Sequence, residues 1–366
     1  MNRAVLNNSG VILASALWVI IILSLLAISV GRNSGIDASL MNYALGRMKS
    51  YYAASAGIAY ALNLIRQDTT DEQTNQFDSL YQCGLKLEND KSIGDVMGGI
   101  AVGEDESFDI KYSDTGYNSV VKEALWGFQD EERKINLNAM TASNNELLAG
   151  LIVELGFSQD DADIIAASVV DWRDDDNNVT SPPKGAEAEY YGQAMTSSYL
   201  CKNRPFDHVQ ELLLIKGMRS DIFEKLKDYV TVYPKEPLRL AINFNTAPVK
   251  VIKVFVEYAV HTNASLDSAD TDSLVEKVIR FRNGPDGKSM TADDQILLLS
   301  GNIGRAFNFT IPEEHLYLSV IQAYHVPVSK YFRVNAIGLD RRSSVTSRIG
   351  AVIDREKKTI IAWYRD

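Results

Sequence analysis

The residues in this chain best suited to chemistry are carboxylates. Asp171, Asp174, Asp175, Asp176, Glu187 and Glu189 crowd one stretch, countered only by Arg173 and Lys184, and Asn177 and Asn178 add neutral oxygens beside them. Hard cations such as calcium take about six to eight oxygens, often from a flexible acidic loop. The spacing is not that of an EF-hand. A divalent-cation site and a solvated charge run after a helix both fit these residues. A second stretch, NGPDGKSMTADDQ, offers Asp286, Asp293 and Asp294. Its Gly-Pro-Asp-Gly marks a turn with or without a cation.

Other chemistry finds little support. His208, His261, His315 and His325 are scattered, with no HExxH pair. There is no Gly-x-Ser-x-Gly elbow and no phosphate loop. A membrane-anchored hydrolase would need a clustered nucleophile and base. Cys83 and Cys201 are too few for a disulfide-dense scaffold or a four-thiolate zinc site. They form one disulfide in an oxidising compartment, or remain two free thiols. The formal net charge of −11 argues against a general nucleic-acid binder, which needs a basic face. With 366 residues, 46% of them hydrophobic, the chain has room for about two folded units.

The elements that must position these residues begin with an apolar run. Val11 to Val30 reads VILASALWVIIILSLLAISV, without charge, Pro or Gly. At about 1.5 Å per residue it spans about 30 Å, the depth of a bilayer's hydrocarbon core. A cleaved secretory signal has a shorter apolar region, about 7–15 residues. The run also continues as a helix: Ile36, Leu40, Ala44, Met48, Tyr52, Ala56 and Tyr60 recur every fourth residue, with Ile58, Leu62 and Ile65 between them. Arg3 precedes the run and Arg32, Arg47 and Lys49 follow it, so charge does not fix its orientation.

Beyond this helix, Gln67 to Asp95 is polar and reads as loops with a short helical piece. Ile100 to Phe128 alternates as strands. From Lys134 the periods become helical, with Thr141 or Ser143 as a cap candidate for one helix, Gly156 as its stop and Ser158 as the cap of the next. KINLNAM (134–140) and AINFNTA (241–247) echo one another, each leading into a helix. This fits two related helical subdomains. The tail from Ser329 reads as three strands. Strands on both sides of a helical block predict an α+β fold: one antiparallel sheet interrupted by an inserted helical domain.

A short polar leader ending at Gly10, followed at once by an apolar helix from Val11, resembles the type IV pilin and pseudopilin family. In that family a prepilin peptidase cuts after the glycine and the new first residue is methylated. Most members carry a glutamate at the fifth mature position, where this chain has Ser15. A carboxylate in lipid is costly unless paired. Its absence resembles the tip class, whose members have no preceding subunit's amine to meet. RMKSYYAASAGIAYAL, DEERKINLNAM, VVDWRDDDN, GAEAEYY, YLCKNRPFDHVQELLLIKGM, AINFNTAPVKVI and the late YFRVNAIG follow in the order expected of the K-class minor pseudopilins of type II secretion systems. The resemblance covers about Gly10 to Ile353 and is weakest over Gln67 to Ile100.

The resemblance implies a leader at 1–10, a transmembrane segment at 11–30, its helical continuation at 31–66 and a pilin-like sheet begun at 67–133. An inserted α-helical domain of the SAM-like or helix-hairpin-helix-like kind would occupy 134–328, and strands at 329–366 would complete the sheet. It implies a non-enzymatic subunit of the inner membrane, with its globular part in the periplasm. That subunit would sit at the pseudopilus tip with I- and J-class minor pseudopilins. Gly10 and Val11 would serve processing, and Leu13, Leu17, Ile20 and Ser24 helix packing. The family binds calcium in this insertion, which makes Asp171, Asp174, Asp176 and Glu187 the expected ligands, in a structural role.

RPFDHVQELLLIKGM also resembles a helix-hairpin-helix element of DNA-binding proteins, which would make the chain an anchored DNA-uptake protein. Its turn, Lys216-Gly217-Met218-Arg219, has one glycine and lies in acidic surroundings, which disfavours a phosphate backbone. A minor pilin of a related pilus-like machine is the remaining alternative.

Overall fold

The computed structural model describes residues 8–67, 96–114, 123–193, 199–266, 269–287 and 294–365. The polar stretch at 68–95, with Cys83, lies outside them, as do Asp293 and the first seven residues of the leader.

Helix α1 runs from Asn8 to Gln67, 60 residues with no proline. At 1.5 Å per residue it is about 90 Å long. Its apolar first half is exposed on every side, with Val11 at 70% and Leu25 at 62%. It is the one helix among the described residues long and apolar enough to cross a membrane.

The second half of α1 packs on a sheet, by Ile58 and Ile65 of the sequence pattern but not by the outer part of its every-fourth-residue row. Ile36, Leu40, Met48 and Tyr52 face outward, while Ser50, Ala53, Ala54, Ile58, Ala61 and Ile65 are buried. Small residues let the helix lie close to the strands. Gly57 is one of them, because a Cβ there would come within 2.9 Å of Ala336.

The strands are β1 (Ile100–Ala101), β2 (Glu106–Asp114), β3 (Glu123–Trp126), β4 (Gln129–Asp130), β7 (Tyr331–Asp340), β8 (Val345–Asp354) and β9 (Thr359–Arg365). They form one antiparallel sheet in the order β1-β2-β7-β8-β9, with β3 on β2 and β4 on β7. Strand β7 alternates between buried and half-buried residues, as a two-faced strand must. Phe332, Val334 and Ala336 join Phe108, Ile110, Ile349, Ala351 and Ile353 against α1 in one core. A second core fills the helical unit, and Val352, Ala362 and Tyr364 reach it from the sheet's other face.

The chain leaves the sheet at β4 and returns beside it at β7, where the Glu131 N–H donates to the Tyr331 carbonyl at 2.9 Å. Between them stand short parallel strands β5 (Ile135–Asn136) and β6 (Val230–Thr231). The helices of this unit are α2 (Glu146–Glu154), α3 (Gln159–Arg173), α4 (Ala188–Gly192), α5 (Ser220–Leu226), α6 (Val249–Thr262), α7 (Thr271–Arg282), α8 (Ile303–Phe307) and α9 (Ile311–Tyr324). Ser158 caps α3 as expected, accepting the Asp161 N–H at 3.2 Å, and Gly156 ends α2 at φ +94°. Neither Thr141 nor Ser143 caps α2. Their hydroxyls bond each other at 2.9 Å, the Asn144 side chain takes the Thr141 N–H at 2.7 Å, and the helix starts only at Glu146.

The sequence echo has a structural counterpart. The Asn136 side chain accepts the Asn138 N–H at 2.9 Å, and Asn243 accepts the Asn245 N–H at 3.1 Å. Asn138 Oδ1 then accepts the Phe206 N–H at 2.7 Å, and Asn245 Oδ1 the Leu297 N–H at 2.9 Å.

Candidate metal centre

The acidic loop leaves the C-terminal end of α3 and returns at α4. Asp171, in the last turn of α3, is fully buried and its Oδ1 accepts the Thr180 N–H at 2.9 Å. Gly185 passes so close that a Cβ there would sit 2.1 Å from Asp171 Oδ2 and 2.7 Å from the Thr180 carbonyl. Lys216, from the segment before α5, fastens the loop by donating to the Pro183 carbonyl at 2.8 Å and the Gly185 carbonyl at 3.0 Å. The Trp172 ring stands edge-on to Tyr191 at 5.2 Å, forming an aromatic floor beneath the turn.

This folding brings Asp174, Asp176 and Glu187 together, with one carboxylate oxygen from each lying within 4.8 Å of the others. Oxygens sharing one ion at about 2.4 Å lie at most about 4.8 Å apart, so the three can hold one hard cation. Asp171 is not one of the three: its Oδ1 is tied to the loop backbone, while its Oδ2 is buried and, among the described residues, has no hydrogen-bond partner. Asp175 and Glu189 face solvent.

Glu187 is only 4% exposed, yet among the described residues both of its carboxylate oxygens lack a hydrogen-bond partner, as does Asp174 Oδ1. Buried carboxylates left this way are costly unless a cation meets them. Burial, with the charges of Asp171, Asp174 and Asp176, pushes the Glu187 carboxyl up to about 7. Burial and the neighbouring Asp176 and Asp171 push Asp174 up to about 6. Asp171 is raised too, first by burial. A divalent cation would neutralise this repulsion.

Asn203 was not legible as part of the site. It adopts φ +47°, its Nδ2 donates to the Asp176 carbonyl at 3.1 Å, and its Oδ1 is buried without a partner among the described residues. An asparagine in the turn-like Lys-Asn-Arg-Pro was the available signal. Cys201 has no disulfide partner among the described residues, and its Sγ meets the Asp171 carbonyl at 3.4 Å; Cys83 lies outside those residues. In the second acidic stretch Asp286 is exposed and Asp294 buried. Asp293 lies outside the described residues.

A long helix laid on an antiparallel sheet, with a helical unit between two neighbouring strands, defines a pilin-like α+β protein. A family model described as "Type II secretion system (T2SS), protein K" matches residues 133–235. The type II secretion system protein K of Klebsiella pneumoniae is 30% identical over 124 residues, 31% of this chain and 37% of that protein. That of Pectobacterium carotovorum is 33% identical over 93 residues, 25% of this chain and 27% of the relative. The putative protein K of Escherichia coli K12 is 29% identical over 133 residues, 33% of this chain and 39% of its own length. The matches thus span well under half of these relatives. A chain of the GspK-GspI-GspJ complex from the enterotoxigenic Escherichia coli type 2 secretion system shares the fold. Its TM-score is 0.56 at 16% identity, over 90% of this chain and 99% of that one. Residues 133–235 thus resemble the type II secretion system protein K family, and the chain as a whole shares the fold of that complex's chain.

Proposed function

We propose that the chain is a minor pseudopilin that occupies the tip of the secretion pseudopilus, in complex with I- and J-class minor pseudopilins. The observation that carries this reading is the helical unit between β4 and β7, which reaches the sheet face opposite α1. A head of that size leaves little room for a further subunit above it. The exposed apolar half of α1 holds the chain in the inner membrane until assembly. Ser15 turns its hydroxyl back to the Ile12 carbonyl at 2.9 Å and offers no carboxylate to a subunit assembled before it. Prepilin peptidase removes the leader after Gly10, leaving Val11 to be methylated. Calcium at Asp174, Asp176 and Glu187 orders the insertion.

A nucleic-acid role has no comparable support. In the helix-hairpin-helix-like turn Lys216 is spent on loop carbonyls, and Arg219 pairs with Asp161 at 2.9 Å and Asp221 at 3.3 Å.

Co-expression with a prepilin peptidase tests the reading. The wild type should shorten and begin at Val11, whereas Gly10→Leu should stay full length. An uncut wild type overturns the assignment.

A further inference from the structure

Strand β9 ends the sheet, and among the described residues nothing pairs with its outer side. Every second backbone N–H and C=O along it therefore points away from the ladder. Proteins usually block such an edge with proline, charge or a covering loop. TIIAWYR has no proline, and its only charge is the last residue, Arg365.

A bulge gives this edge a particular face. Ile360 pairs with Ile353 on the α1 side, but Ala362 pairs with Val352, which points to the other face. The extra residue brings Trp363 opposite Ala351 and Arg365 opposite Ile349, back on the α1 side. There the Arg365 guanidinium lies 4.9 Å from the Tyr51 ring centre, and Tyr51 stands edge-on to Tyr52 at 5.6 Å. Trp363 is nonetheless 45% exposed and Tyr52 64%. Trp, Tyr and Arg are the residues that dominate binding at interface centres.

The charge at this edge runs against that of the molecule. The chain carries −11 overall, yet residues 354–366 hold Arg355, Lys357, Lys358 and Arg365 against Asp354, Glu356 and Asp366, with Lys357 paired to Asp354 at 3.6 Å. Arg66, at the end of α1, joins them through the Lys358 ammonium, which donates to the Arg66 carbonyl at 3.2 Å.

We propose that β9 is a docking edge, to which a neighbouring pilin-like subunit adds an extended, acidic segment as a further strand. Backbone hydrogen bonds hold the segment, and the ledge of Trp363, Tyr51 and Tyr52 receives its apolar side chains. The basic ends of β9 orient it. This rests on the chain being an assembly subunit and names the surface used.

The test takes the full-length chain in detergent, alone and co-purified with I- and J-class pseudopilins, and follows backbone hydrogen exchange across 359–365. Outer-edge amides should slow by about tenfold or more in the complex, as amides entering a ladder do. A Trp363→Ala, Arg365→Glu variant should lose complex by at least about tenfold, the scale of a hot-spot deletion. Leu238→Ala, at an exposed residue elsewhere, should leave it intact. A wild-type complex with unprotected β9 amides, or one indifferent to the double variant, overturns the docking edge while leaving the assembly role standing. No complex with the wild type overturns both.

Discussion

Gly338 of β7 lies directly beneath Ser50 of α1. A Cβ built on that glycine would fall 1.9 Å from the Ser50 carbonyl oxygen and 2.4 Å from the Ala54 nitrogen. Backbone meets backbone here, so no side-chain rotation can relieve the clash. Gly338→Ala should therefore separate helix from sheet locally and cost about 1–3 kcal/mol, the usual range for overpacking. Urea unfolding of the two proteins would measure it. An unchanged midpoint would mean the helix does not sit this close.

Calcium should stabilise the fold, because a ligand bound only by the folded form must raise its melting point. At a hundredfold excess over its dissociation constant the gain is about 2.7 kcal/mol. Glu187→Gln should behave in two opposite ways. It removes a charge from a crowded carboxylate group, so the chelated protein should melt higher than chelated wild type. It also weakens the site, so the calcium-dependent rise should shrink. Thermal melts with calcium and with chelator test both signs, and a wild type indifferent to chelator would sink the metal reading.

The neck where the chain leaves and re-enters the sheet should be pH-sensitive. Asp130 Oδ2 is buried against Ser329 Oγ at 2.6 Å and Thr246 Oγ1 at 2.5 Å, and Glu132 accepts the Lys330 N–H. Burial pushes Asp130 up to about 6 despite those bonds. Burial and the Asp130 charge push Glu132 up to about 7. Between the ordinary carboxylate range and pH 7 the folded state thus holds protons that the unfolded chain has lost. Stability is full below about pH 4 for these two groups and falls as pH rises through 6 and 7. Neighbouring Glu131 has the opposite sign. Burial works to raise it, but the Arg333 and Lys134 charges outweigh this and hold it at about 2, so its contribution persists at neutral pH and is lost only in strong acid. Glu132→Gln, compared with wild type in calcium, should flatten the decline between pH 5 and 7, where the wild-type Glu132 carboxyl, at about 7, still takes up protons on folding. Equal slopes for the two proteins would count against the buried-proton account.

Charge density made the acidic loop legible, yet it could not rank the carboxylates. Asp175 and Glu189 carry the same charge as Asp174 and Glu187, and only folding exposes the first pair and buries oxygens of the second. Asn203 closes the site from beyond the next loop, a distance no local pattern bridges. The helix was legible from its apolar rows, and so were Ile58 and Ile65 of its packing row, but the small residues between them were not. Glycine, serine and alanine contribute little hydrophobic signal, and their value lies in letting α1 approach Gly338. The interrupted sheet was legible because alternation resumes after the helical block, in YFRVNAIGLD.

The echoed asparagines offer the sharpest test of how the cation loop is held. Asn138 Oδ1 takes the Phe206 N–H at 2.7 Å, and its Nδ2 reaches the Phe206 carbonyl at 3.1 Å and the Val232 carbonyl at 3.0 Å. Its own carbonyl receives Arg173 Nη1 at 2.6 Å, at the start of the acidic loop. One residue thereby ties the end of α3 to the segment that carries Asn203. Asn138→Ala would strand several buried polar groups and should cost about 3 kcal/mol. It should also weaken calcium binding, since Asn203 and Asp174 would lose their common anchor. Asn245 plays the corresponding part in the second half, bonding the Leu297 N–H at 2.9 Å. Asn245→Ala should destabilise the protein yet leave calcium affinity near wild type. Calorimetric titration of both variants separates a local anchor from general loosening: equal losses of affinity would assign Asn138 a purely structural role.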